Sequence, residues 1–176
     1  MDFSIRQEQE LDYPFVFSLI KDAFSNDPYS DKREQLIVEK LRKSKNYIPE
    51  LSLVAVFKNE IVGHILLTPI NIKNEHSEFI SLALAPVSVI PKHQNKGVGS
   101  ELIRTAHTKA KDLGFESIVV LGHANYYPKF GYKRASQFNI TLPFEVPDEN
   151  CLAIELVKNT LNEKSGIVHY PPAFTE

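Results

Sequence analysis

The sequence predicts an α/β (α+β) fold: a mixed, mostly antiparallel central sheet of about six to seven strands, flanked by helices on both faces. Three observations carry this. Apolar residues repeat at helical steps through Leu11–Phe24 and again after Asp31. From Leu51 the period changes to that of strands. Finally, Val87–Ile90, a glycine loop, a helical stripe and Ser117–Leu121 follow one another as strand, loop, helix and strand. That run makes a right-handed crossover and one parallel pair.

Taken in order, Phe3–Gln7 fits a short strand. Leu11–Phe24 places Phe15, Leu19, Ile20, Ala23 and Phe24 on one face, with Pro14 in the first turn and Asp12 as its cap. Asp31 opens a second helix, whose stripe is Leu36, Ile37, Lys40 and Leu41. Leu51–Phe57 and Ile61–Ile70 form a hairpin about Lys58-Asn59-Glu60, with a bulge at Gly63. A long strand runs Phe79–Ile90, interrupted near Pro86, which lacks a ladder donor.

The helix that follows buries Val98, Leu102, Ala106, Ala110 and Leu113. Gly114 ends it. Ala124–Phe130 is a short helix stopped by Gly131. Tyr132–Leu142 and Cys151–Val157 are two more strands, and the tail from residue 164 to 176 is irregular.

A chain of 176 residues, 43% hydrophobic and 24% charged, suits one domain with a sizeable core. A net charge of -2 gives no support to a nucleic-acid partner. The single cysteine, Cys151, excludes an internal disulfide and a cysteine-based metal site. His64, His76, His93, His107, His123 and His169 show no metal-ligand spacing, so no metal is expected. No run reaches membrane-spanning length and no leader is evident, which makes the cytoplasm the expected setting.

The chemistry concentrates in Lys92-His93-Gln94-Asn95-Lys96-Gly97-Val98-Gly99-Ser100. A glycine loop between a strand and a helix can serve as an anion site, because the first helical amides lack partners and the dipole is positive there; the same pattern also fits a strand-to-helix turn with no ligand. Lys96 adds a mobile positive charge at the rim. The spacing is not that of a Walker loop, since Lys96 precedes the glycines. Nor is it a dinucleotide fingerprint, since Leu102 holds the third glycine's place.

Gln94-x-x-Gly97-x-Gly99 after Val87-x-Val89-x-Pro91 resembles the coenzyme A pyrophosphate loop of the GNAT superfamily of N-acetyltransferases. A second motif agrees: Tyr127, four residues before Gly131-Tyr132, resembles the tyrosine helix that follows the fifth strand in that superfamily. The wording Tyr-Tyr-x-x-Phe-Gly-Tyr resembles its poorly characterised bacterial-type branch. The likeness is strongest over residues 51–158 of a single domain, 1–176.

The resemblance implies a splayed parallel pair, Val87–Ile90 and Ser117–Leu121. It implies that backbone groups of Val87 and Val89 stay unpaired and hold the pantetheine arm of acetyl-CoA. Gln94, Asn95, Lys96, Gly97, Val98, Gly99 and Ser100 would take its pyrophosphate, with Asn125 a further cofactor contact. An acetyl group would pass by direct attack to a primary amine of a small molecule or protein. The Val89 amide would polarise the carbonyl, and Tyr127 would protonate the leaving thiolate as general acid.

Relatives often carry a glutamate on the strand before the loop; Phe79–Ile90 has no carboxylate. Glu75 and Glu78 would act only through water, His123 has a suitable intrinsic pKa, and His64 is a weaker candidate. The general base is left open. So is a non-catalytic acyl-CoA-binding sensor or scaffold of the same fold. The acceptor's identity and the transfer of a longer acyl group are open too. Neither nucleic acid nor membrane is an expected partner; the chain could pair as a homodimer.

Overall fold

The structure is a computed structural model describing residues 1–175. Among these are three α-helices, α1 (Tyr13–Ala23), α2 (Glu34–Arg42) and α3 (Val98–Asp112). Nine strands accompany them: β1 (Ser4–Gln7), β2 (Ser52–Phe57), β3 (Glu60–Lys73), β4 (Glu78–Val89), β5 (Ser117–Leu121), β6 (Lys133–Arg134), β7 (Ile140–Thr141), β8 (Cys151–Glu155) and β9 (Gly166–His169). The main hydrogen-bonded path is β1-β2-β3-β4-β5-β8-β6, and β9 pairs with β3 and β7. The mixed, mostly antiparallel sheet predicted from the sequence is present.

The chain forms two compact units. One comprises Met1–Thr68 and Ala85–Lys109, the other Pro69–Leu84 and Ala110–Glu176. In the first, β1 runs antiparallel to β2 and β2 to β3. Lys58 and Asn59 both take left-handed φ, 48° and 65°, as a two-residue hairpin whose twist matches its strands requires. Ala55 faces Gly63 and Val56 faces Ile61, so the bulge sits at Val62, beside the predicted glycine. A Cβ on Gly63 would lie 2.9 Å from Leu102 Cδ1 and 3.0 Å from Val98 Cγ1. The glycine therefore lets α3 pack closely on β3 through its buried Val98, Leu102, Ile103 and Ala106.

The N-terminal helices are where expected, and their buried stripes match the predicted ones in part. In α1 Leu19 and Ile20 are buried as read, with Val16 in place of Phe15, which is 67% exposed. In α2 Leu41 is buried as read, with Gln35 and Val38 beside it in place of Leu36 and Lys40. Asp12 does not cap α1. Its carboxylate pairs with Arg6 at 2.6 Å and accepts the Gln9 amide at 2.8 Å, closing the 3-10 turn Glu10–Asp12 ahead of the helix.

In the second unit β4 and β5 are parallel, Leu82 opposite Ile118 and Ala83 opposite Val119, and β5 is antiparallel to β8. Ile70, Ile72, Val119, Ile140, Ala153 and Val168 belong to its buried core. Two expectations need correction here. The strand around Pro86 is not one of them: β4 runs to Val89, but its pairing with β5 ends at Ala83, and the Ala85–Pro86 bond is cis. Tyr132–Leu142 is not one strand: β6 pairs with β8, and β7 runs parallel to β9. A 3-10 turn, Ala135–Phe138, separates them and closes on a left-handed Asn139. Different neighbours demand different directions, so the strand breaks. The tail is not irregular throughout, because β9 pairs antiparallel with β3, Asn71 opposite His169. Splitting one strand and recruiting the tail raise the count above the predicted six to seven.

Candidate active site

The glycine loop belongs to the first unit. β4 ends at Val89, and Pro91–His93 makes a 3-10 turn. The Gln94 side-chain amide then folds back to donate to the Val89 carbonyl at 3.0 Å. That carbonyl is thus paired, contrary to the expectation that Val89's backbone groups are free. The amide beyond Val89 is also paired, since Ile90 N–H donates to Val62 O at 3.0 Å.

Asn95 and Gly97 both have left-handed φ, 59° and 86°. A Cβ on Gly97 would meet nothing within 4 Å, so glycine is needed there for its φ rather than for room. The helix starts at Val98, so Gly99 and Ser100 of the glycine loop lie in its first turn. Its first 4-residue bond runs from Glu101 N–H to Gly97 O, 3.1 Å. By helix geometry the amides of Val98, Gly99 and Ser100 precede that bond and point out of the helix start.

The loop from Gln94 to Gly97 is exposed while Val98 anchors it in the core. Lys96 Nζ donates to the Lys92 carbonyl at 2.8 Å, and Lys92 pairs with Glu60 at 3.3 Å. Lys96 therefore bridges its own loop, with its charge beside the helix start. His93 is wedged below, 5.4 Å edge-on to Phe57 with Nδ1 3.2 Å from Met1 Sδ. Helix-start amides, the helix dipole and Lys96 give this loop the chemistry of an anion site, while Lys92 is paired with Glu60.

The tyrosine motif belongs to the second unit. After β5, Gly122 is held on both sides by Asn150: its amide donates to Asn150 O at 2.9 Å, and Asn150 Nδ2 donates to its carbonyl at 2.9 Å. His123 to Tyr126 is a turn, closed by Tyr126 N–H to His123 O at 3.1 Å. The expected short helix is a 3-10 turn, Tyr127–Phe130, ended by Gly131 at φ 101°.

Tyr127 is 6% exposed, edge-on to Tyr126 at 5.2 Å and to Tyr132 at 5.4 Å. Burial, with a smaller contribution from Tyr126, raises its phenol well above the ordinary value, so it stays protonated across the physiological range. Sequence reading missed Gly122. A Cβ there would stand 2.3 Å from Tyr127 Cε2, so its missing side chain makes room for the ring. A glycine at the end of a buried strand, five residues before the tyrosine, was the available signal.

Asn125 and His123 are exposed. Glu78, 51% exposed, pairs with Lys73 at 3.2 Å at the opposite end of β4 from Val87–Val89. Among the described residues no group of three or more His, Cys, Asp or Glu is placed to hold a metal. No helix is long and apolar enough to cross a membrane.

The acetyltransferase (GNAT) family model matches residues 12–132. The chain is 37% identical over 119 residues to the uncharacterized N-acetyltransferase YjhQ of Escherichia coli K12, covering 67% of this chain and 66% of that protein. Its fold matches the crystal structure of the GNAT family N-acetyltransferase YhbS from Escherichia coli in complex with CoA. That match has a TM-score of 0.88 and 21% identity, covering 99% and 92% of the two chains. It also matches a GNAT family acetyltransferase from Brucella melitensis in complex with acetyl-CoA, with a TM-score of 0.81 and 29% identity over 98% of each. With more than half of its length matched by the family model, a cradle at the start of α3 and Tyr127 seated on Gly122, this chain belongs to the GNAT acetyltransferase family.

Proposed function

We propose that the chain acts as one domain that moves an acetyl group from acetyl-CoA to a primary amine of a small molecule or protein by direct attack. The observation that carries this is the start of α3, where a loop tied back to β4 by Gln94 presents helix-start amides beside Lys96. The pyrophosphate lies on the amides of Asn95 to Ser100, and the pantetheine arm runs along Val87 and Val89. Asn125 adds a contact to the cofactor. The Val89 carbonyl is taken by Gln94, so this strand offers the arm its remaining groups.

Holding thioester and amine together supplies most of the acceleration. Tyr127, buried and protonated, gives its proton to the departing thiolate. The CoA-bound and acetyl-CoA-bound relatives support the choice of co-substrate.

The test is thiol release from acetyl-CoA across a panel of amines, with acetyl-CoA binding measured by calorimetry. Binding with amine-dependent release supports transfer. Binding with no release from any amine favours the sensor reading, which rests on the lack of a carboxylate in Phe79–Ile90.

A further inference from the structure

A buried polar cluster lies in the first unit, built from residues far apart in sequence. Glu8 follows β1, Arg42 ends α2, Ser52 opens β2 and His64 sits in β3. The side chains of Glu8 and His64 are 0% exposed, that of Arg42 6%. The Glu8 carboxylate accepts from the Arg42 guanidinium, from Ser52 Oγ at 2.6 Å and from the Tyr47 hydroxyl at 3.4 Å. Ser52 Oγ lies 3.1 Å from His64 Nε2.

These bonds fix the imidazole tautomer. An ionised carboxylate only accepts, so Ser52 gives its one proton to Glu8. Its oxygen can then only accept from His64, which puts the ring proton on Nε2 and leaves Nδ1 as a lone pair. Nδ1 is buried and has no hydrogen-bond partner. The arrangement has the logic of a base held by a buried acid: a carboxylate, 3.6 Å from Nε2, sets the tautomer and stabilises the imidazolium that would form.

A second unpartnered group lies on the neighbouring strand. The bond from Ile90 N–H to Val62 O sets these two residues opposite each other. Two residues along this antiparallel pair, Ser88 stands opposite His64 on the same face of the sheet. Its hydroxyl, too, is buried without a partner. Cross-strand neighbours have Cβ atoms about 4.5–5.5 Å apart, within reach of one side-chain rotation. Ser88 lies between Val87 and Val89, the residues assigned to the pantetheine arm.

We infer that His64 is the proton acceptor for the attacking amine, reached through the Ser88 hydroxyl. This rests on the acetyltransferase reading. As the amine nitrogen bonds to the acetyl carbon and the carbon–sulfur bond breaks, an amine N–H proton passes to Ser88 Oγ. The original Ser88 proton passes to His64 Nδ1, and the thiolate is protonated by Tyr127. The imidazolium faces Glu8 through Nε2–H, 3.6 Å from Oε1; the Arg42 guanidinium bonds that same oxygen, the Tyr47 hydroxyl bonds Oε2, and Ser88 is what β4 presents. This places the base on β3, which explains why Phe79–Ile90 can lack a carboxylate. Ser88 is the relay, and His64, which acts through it, is the terminal proton acceptor.

The experiment measures kcat against pH by thiol release for wild type, Ser88→Ala and His64→Gln. Acetyl-CoA Kd is measured alongside, and the wild-type His64 tautomer by 15N histidine NMR. The relay requires protonated Nε2 and bare Nδ1. It requires kcat to fall about 10- to 100-fold near neutral pH in both variants, with the shape of the pH profile changed in both and Kd unchanged. A folded Ser88→Ala protein with the wild-type profile, or a proton on Nδ1, overturns it. Should His64→Gln not fold, Ser88→Ala and the tautomer still decide. Wild type that binds acetyl-CoA but acetylates no amine overturns the acetyltransferase reading itself. Amine turnover with unchanged variant profiles overturns the relay alone.

Discussion

A Cβ on Gly122 would stand 2.3 Å from Cε2 and 2.9 Å from Cδ2 of Tyr127. The tyrosine ring occupies the volume that a side chain at Gly122 would fill. Gly122 itself is pinned by Asn150 on both its amide and its carbonyl, so the backbone cannot yield. Tyr127 is also flanked edge-on by Tyr126 and Tyr132. Its phenol is thus placed by a missing side chain and two aromatic neighbours.

Gly122→Ala should therefore push the ring out of position. The expected cost is about 1–3 kcal/mol of stability, the usual range for overpacking. Turnover should drop in the protein that remains folded. Acetyl-CoA affinity should hold, since the anion cradle is built from other residues. Thermal unfolding, calorimetry and thiol release measure the three quantities. Wild-type turnover would mean that the phenol's placement is immaterial.

Tyr127→Phe keeps the ring and its edge contacts and removes only the oxygen. Turnover should fall about ten- to a thousandfold if acid catalysis of typical size is lost. Kd for acetyl-CoA should stay within about twofold, and stability should change little. Equal turnover would reduce Tyr127 to packing. A large loss of affinity would show that the hydroxyl instead holds the cofactor.

Much of this was legible in sequence, for identifiable reasons. The loop and the Tyr127 motif are local, and β5 was read with its observed limits, Ser117–Leu121. What escaped depends on partners distant in the chain. Nothing near Gly166 announces that β9 will pair with β3; a Cβ on that glycine would meet the Lys73 carbonyl at 2.2 Å. Tyr132–Leu142 reads as continuous because composition does not reveal that its halves have different neighbours. The Glu8–Arg42–Ser52–His64 cluster joins residues far apart in the chain, so Glu8, Arg42 and Ser52 looked unremarkable alone and His64 only a weak candidate base. Gly99 was read as a loop residue, although it lies in the first turn of α3, because a glycine pair masks a helix start.

Gly97 separates conformation from space. Its φ is 86° and a Cβ would touch nothing within 4 Å. Gly97→Ala should weaken acetyl-CoA binding through backbone strain of about 1–2 kcal/mol. Gly97→Asn should be milder, since asparagine tolerates that region. Gly99→Glu sets a negative side chain in the first turn of the helix and should abolish binding in a folded protein. Calorimetry on the three variants tests the order. Equal losses for alanine and asparagine would mean that crowding by the ligand, not φ, governs Gly97.

Lys96 donates to the Lys92 carbonyl while remaining exposed. Lys96→Ala should weaken acetyl-CoA binding at low salt and matter less at high salt, as a screened charge does. A loss independent of salt would show that the bridge to Lys92 shapes the loop.

Stability should fall in acid in two steps, each from a different titrating group. Burial lowers His107 from 6.5 to about 4. Its neutral form is favoured by folding, so its contribution is complete above pH 6.5 and is lost as pH falls toward 4. Glu8 behaves as a native carboxylate. Burial alone would raise its pKa, but bonds with His64, Arg42 and Ser52 win and lower it from 4.5 to about 2. Its contribution, roughly 3 kcal/mol by linkage, is present above pH 4.5 and is lost as pH falls toward 2.

Melting temperature against pH for wild type, His107→Gln and Glu8→Gln separates the steps. His107→Gln should flatten the curve between pH 6.5 and 4. Glu8→Gln should be less stable at pH 7 by about 3–5 kcal/mol, because Arg42 is left buried without its carboxylate. Below pH 4.5 its curve should run flatter than wild type and converge on it. Parallel curves for wild type and Glu8→Gln over that lower window would mean that the carboxylate is not held ionised by the fold.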